Sequence, residues 1–131
     1  MSAQNMLYYL AWEEDDWLDE ILDYFRSVNA VVPTAKTLQF MKEQRAEGVA
    51  RNAVVVLNAA HEPEKSMEFL HLLQNDDEWK NVPLYIVGLE EHQEAEWQAA
   101  FPRANIVVIR GSKYEFDYEA VLKEMNAEWS D

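Results

Sequence analysis

Carboxylates and one histidine gather in two short stretches, Glu13-Glu14-Asp15-Asp16 and His61-Glu62-Pro63-Glu64. Side chains of these types could hold a divalent cation or move a proton. A metal site needs ligands in fixed geometry, however. His61, Glu62 and Glu64 match no strong ligand pattern, even with Glu13 and Glu14 brought alongside. A solvated loop accounts for the cluster better, and no metal is expected. His71 and His92 are isolated residues on helical stretches. With 0 cysteines, a disulfide framework and a cysteine-based zinc site are both excluded. No Ser-His-Asp constellation can be placed, and Gly48, Gly88 and Gly111 are too scattered to cradle a phosphate. Neither a cofactor nor catalysis is expected.

The elements that would position these groups are easier to read. The stretch from Asn52 to Asn58 holds five consecutive apolar residues, Ala53-Val-Val-Val-Leu57, and ends abruptly on a polar turn, Asn58-Ala-Ala-His-Glu-Pro63. So short and uniformly apolar a run reads as a strand covered on both faces, central in a parallel sheet. Open α/β folds place their ligands at the carboxyl ends of such strands. Met6 to Trp12 reads as a first strand. The acidic stretch after it suits a helix start, and Leu18, Ile21, Leu22, Phe25 and Val28 give that helix its apolar face. A second strand is expected over Ala30–Pro33. Thr34 or Thr37 should cap a helix over Leu38–Glu47, which Gly48 ends. A third helix spans about Glu64–Asn75, a fourth strand Pro83–Gly88 and a weaker helix Glu90–Phe101. A fifth strand, Ala104–Arg110, and a last helix, Asp117–Trp129, complete the chain. Five strands alternating with five helices predict one three-layer α/β domain over residues 1–131, with a parallel sheet and helices on both faces.

Composition bounds the partners. The net charge of -14 over 131 residues argues against direct binding to nucleic acid or to an anionic membrane. It permits a basic partner or mimicry of a phosphate backbone, but solvation of a soluble, bacterial-type domain is the simpler account. The start of the chain lacks the basic-then-apolar pattern of a signal peptide. No apolar run reaches the roughly 20 residues that span a bilayer. A cytoplasmic location is therefore expected.

The strand ends resemble those of a response-regulator receiver domain over nearly the whole chain. In that family an acidic pair follows the first strand, where Glu13 and Glu14 stand. A phosphate-accepting Asp ends the third strand, where this chain has Asn58. A Thr or Ser ends the fourth, here Gly88, and a Lys-Pro pair ends the fifth, here Arg110-Gly111. The distance from Asn58 to Glu68-Phe69-Leu70 matches the family's run into its third helix. Within it the proline falls one place later, at Pro63, and Ser66 replaces a glycine. Val107 replaces an aromatic common before the lysine. The resemblance implies the strand order 2-1-3-4-5, a flavodoxin- and receiver-like sheet with two helices on one face and three on the other. It also implies lost chemistry. An amide cannot be the carboxylate nucleophile, Gly88 has no hydroxyl, and a guanidinium does not stand in conservatively for an ammonium. The expectation is a pseudo-receiver whose vestigial pocket comprises Glu13, Glu14, Asn58, Gly88 and Arg110, with Arg110 paired to Glu13 or Glu14.

Receiver domains commonly meet partners through the fourth helix, fifth strand and fifth helix. By that resemblance Trp97, Arg103, Tyr114 and Tyr118 are candidates for contact, by self-association or with another protein. Trp97 is singled out as an aromatic on an otherwise polar helix, because tryptophan is enriched at interface hot spots. The leading expectation is a non-catalytic, phosphorylation-independent signalling module acting by protein contact. The alternative is an acidic decoy or inhibitor that occupies a basic, nucleic-acid-binding surface. A third, a small enzyme using the strand-end pocket, lacks an evident nucleophile or base.

Overall fold

The computed structural model describes residues 5–48, 52–112 and 114–129. Its strands are β1 (Asn5–Leu10), β2 (Val28–Val31), β3 (Asn52–Asn58), β4 (Leu84–Leu89) and β5 (Asn105–Val108). Its helices are α1 (Asp16–Tyr24), α2 (Ala35–Ala46), α3 (Pro63–Gln74), α4 (Glu94–Ala100), entered through a 3-10 turn at Glu91–Gln93, and α5 (Tyr118–Ala127). All strand pairs are parallel, in the order β2-β1-β3-β4-β5, a flavodoxin-like arrangement.

Alternation along the inner strands divides the core in two. Tyr8, Leu10, Val55, Leu57 and Ile86 face α2, α3 and α4, where they meet Met41, Phe69, Leu70 and Trp97. Leu7, Tyr9, Val54, Val56 and Val87 face α1 and α5, where they meet Trp17, Ile21, Leu122 and Met125. β3 is buried from Ala53 to Asn58, as a strand paired on both sides and covered on both faces must be.

Local signals set the boundaries. Asp15 caps α1 by accepting from the Leu18 amide, and Thr34 caps α2 by accepting from Thr37. Gly48, with φ +82°, takes the left-handed conformation that follows α2. The structure corrects several boundaries: the second strand runs over Val28–Val31 rather than Ala30–Pro33, and the fifth ends at Val108 rather than Arg110. Val28 does not extend α1, because the chain turns extended at Phe25 and Val28 instead pairs beside Leu7 in β2.

Candidate functional site at the carboxyl edge of the sheet

Register brings the ends of three strands together. Leu10 lies opposite Leu57, and Asn58 lies opposite Val87. Asn58 is 4% exposed and every one of its polar side-chain atoms is engaged. Its Nδ2 donates to the Tyr9 hydroxyl at 3.0 Å, and its Oδ1 accepts from the Ala60 amide at 2.9 Å. The Tyr9 hydroxyl donates in turn to Asp15 Oδ1 at 2.5 Å, the same oxygen that takes the Leu18 amide at 2.9 Å. A phenol has one hydrogen to give, so its roles are fixed: it donates to the carboxylate and accepts from the amide. The chain Leu18–Asp15–Tyr9–Asn58–Ala60 thus ties the start of α1 to β1, β3 and the turn after β3.

Electrostatics reinforce the tie. Burial pushes the Tyr9 hydroxyl far above the usual phenol range, and its bond to the Asp15 carboxylate pushes the same way. The other Asp15 oxygen, Oδ2, is buried without a hydrogen-bond partner.

Gly88 completes the closure. At φ +83° it occupies a conformation that side chains disfavour, and a Cβ placed there would lie 2.0 Å from Asn58 Oδ1. The Asn58 amide fills the space that a serine or threonine at position 88 would need.

Of the other expected pocket residues, Glu13 and Glu14 share with Tyr9 a recess of about 200 Å³ past the ends of β1 and β2, which neither Asn58 nor Arg110 lines. β1 ends at Leu10, so Ala11 and Trp12 occupy the first positions past the strand, and Glu13 and Glu14 lie farther out, exposed. Glu13 Oε2 instead approaches His61 Nδ1 at 3.5 Å across the β3–α3 turn. This pair finds no third ligand: among the described residues no group of three His, Cys, Asp or Glu could hold a metal ion. The predicted pairing of Arg110 with Glu13 or Glu14 is not found. Arg110 Nη2 bonds Glu94 Oε1 at 2.5 Å, and Nη1 lies 3.5 Å from Glu91 Oε2. Strand order explains the change, since β5 stands three strand spacings, roughly 14 Å, from β1, while α4 follows the adjacent β4.

The expected contact face also divides. Trp97 is 3% exposed and packs with Phe101, ring centroids 5.9 Å apart, in the core layer under α4. A side chain buried there cannot be an interface hot spot. Tyr118 lies on the opposite face of the sheet, edge-on to Trp17 with centroids 4.8 Å apart. Arg103 precedes β5 and donates to Asn81 Oδ1 at 2.7 Å, whereas Tyr114 follows β5 and is 90% exposed. Lys113, in the same stretch as Tyr114, lies outside the described residues. Tyr114, Phe116 and Tyr118 line a recess of about 480 Å³ with Asp16, Asp19 and Glu20 on α1.

Comparison with protein-family models, curated proteins and solved structures gives no match. Among the described residues no helix is long and apolar enough to cross a membrane.

The strand ends pointed to Asn58 but not to the residues that hold it. Tyr9 reads as one more apolar residue of β1. Its signal is position, one residue from the strand's end and on the face toward α1. Asp15 carried a clearer sign, standing three residues before Leu18 at the start of a helical pattern.

Proposed function

We propose that this chain is a non-catalytic, phosphorylation-independent regulatory module, a pseudo-receiver that works by protein contact. The closed carboxyl edge carries this reading. Asn58, Tyr9 and Asp15 are hydrogen-bonded in a chain where a receiver needs an open carboxylate, and Gly88 leaves no hydroxyl beside them. Arg110 is engaged by Glu91 and Glu94 on the neighbouring helix turn rather than extended toward that edge. With the switch removed, output depends on what the surface binds.

The test is incubation with acetyl phosphate and magnesium, followed by intact mass and peptide mapping. The expected result is no phosphoryl adduct. An adduct on any carboxylate of this edge overturns the proposal.

A second reading, an acidic protein that occupies a basic partner surface, is favoured by the recess where Asp16, Asp19 and Glu20 meet Tyr114, Phe116 and Tyr118. Carboxylates beside aromatic rings suit lysine or arginine side chains. Salt separates the two readings once a partner is in hand. A decoy loses affinity steeply between low and physiological ionic strength, whereas an aromatic-centred contact changes little.

A further inference from the structure

The opposite, amino-terminal edge of the sheet carries a second and different feature. The end of α3, the loop that follows it and the turn between α4 and β5 enclose a cleft of about 310 Å³. Its apolar lining includes Leu70, Leu73, Val82, Leu84, Phe101 and Ala104. That size lies at the lower end of the range for small-molecule sites, which are typically apolar with a few placed polar groups.

Arg103 sets the chemistry of the cleft. Arg103 lines it, and its guanidinium is held by a neutral amide, Asn81, at 2.7 Å. Among the described residues no carboxylate pairs with Arg103, although the chain carries 25 acidic residues. The nearby acids are otherwise engaged: Asp76 pairs with Lys42 at 2.9 Å and Asp77 with Lys80 at 3.3 Å. Lys80 also lines the cleft, but its charge is already met by Asp77, which leaves Arg103 as the cation without a carboxylate partner among the described residues lining it. Trp79 forms part of the wall and is 1% exposed, with its indole N–H buried away from the surface.

The frame around these groups is fixed in advance. Gln98 Nε2 donates to the carbonyls of Phe101 and Ala104, at 3.3 and 3.2 Å, and so clamps the turn that bears Arg103. Arg45 lies over the Trp79 ring, 5.2 Å from its centroid, and donates to the Glu78 carbonyl at 3.1 Å.

From this arrangement we infer that the cleft is a binding site for a small amphipathic carboxylate, an aliphatic or aromatic body ending in one anionic group. The apolar walls take the body, and the planar Arg103 fork, with donors to spare beyond Asn81, takes the carboxylate.

Octanoate is the probe and octanamide, of equal size and without charge, its control. Both are titrated into nitrogen-15-labelled protein while the Trp79 indole and Arg103 side-chain N–H signals are followed. Octanoate should shift both signals saturably, with octanamide at least tenfold weaker. Arg103→Gln, a substitution at an exposed position, should weaken octanoate by about tenfold or more and leave octanamide unchanged. Equal binding of the two probes, shifts confined to other residues, or full octanoate affinity in Arg103→Gln would each overturn the assignment.

Discussion

Replacing Tyr9 by phenylalanine removes one oxygen from the centre of the closed edge and nothing else. Two hydrogen bonds go with it, the donation to Asp15 at 2.5 Å and the acceptance from Asn58 at 3.0 Å. The first has a charged acceptor, and such bonds contribute about 1.5–3 kcal/mol. Loss of the second strands the Asn58 Nδ2 donor in a buried site, at a cost of about 1–3 kcal/mol. Asp15 keeps its helix-cap bond to the Leu18 amide, which limits the damage on that side. The ring still fills its space, so no cavity term is added. A destabilisation of about 3 kcal/mol follows, or a fall in Tm of roughly 10 °C for a chain of this size. Urea unfolding followed by tryptophan fluorescence reads it directly. Asn58→Ala breaks the same bond from the other side, so the double variant should cost about 1 kcal/mol less than the sum of the singles. A Tyr9→Phe loss below 1 kcal/mol, or strict additivity with Asn58→Ala, would refute the network.

Further outcomes follow from the same geometry. Gly88→Ser should destabilise by about 3 kcal/mol, from the left-handed backbone and the displaced Asn58 amide, and Asn58→Ala should relieve part of that loss in a urea-measured cycle. Trp97→Ala should cost about 3–5 kcal/mol as a core truncation, read as lowered Tm with unchanged mass in solution; a change of mass without lost stability would contradict its burial. Alkaline pH should also destabilise. Burial pushes Tyr8 up to about 12, and Tyr9 and Tyr85 are raised as well. The neutral phenols favour the folded state, so their contribution is complete below pH 10, where unfolded tyrosine ionises, and is lost for Tyr8 as pH rises toward about 12. Thermal scans from pH 8 to 12 check this, and Tyr9→Phe should show the shallower decline.

The sheet was legible in the sequence because its signals agree at several levels. Uninterrupted apolar strands such as Ala53–Leu57 alternate with helices that carry caps at Asp15 and Thr34 and a stop at Gly48. Val28 misled because an apolar residue three after Phe25 fits helical spacing and strand alike. Trp97 misled for a different reason. α4 is only seven residues long, so one large side chain supplies much of its core contact, beside three small alanines that leave the helix looking polar. Asn58 and Gly88 stood out as chemically altered strand ends, but their mutual fit is a matter of a few ångströms that spacing alone does not encode. Arg110 turned to Glu91 and Glu94 because sequence shows which strand a residue ends but not which carboxylate of many lies within its reach.

A carboxyl edge whose central Asn58 amide is buried and hydrogen-bonded on both sides is what makes the pseudo-receiver reading possible, and that amide reports on the edge most directly. Its two Nδ2 protons should exchange slowly with solvent, because one is bonded to Tyr9 and the residue is buried. Their resonances should stay fixed as magnesium and beryllofluoride are added to millimolar concentration. A saturable shift of those signals, with exchange as fast as that of a surface asparagine, would mean that the edge is open to a cation and a phosphoryl group, and would contradict a switch that has been closed off.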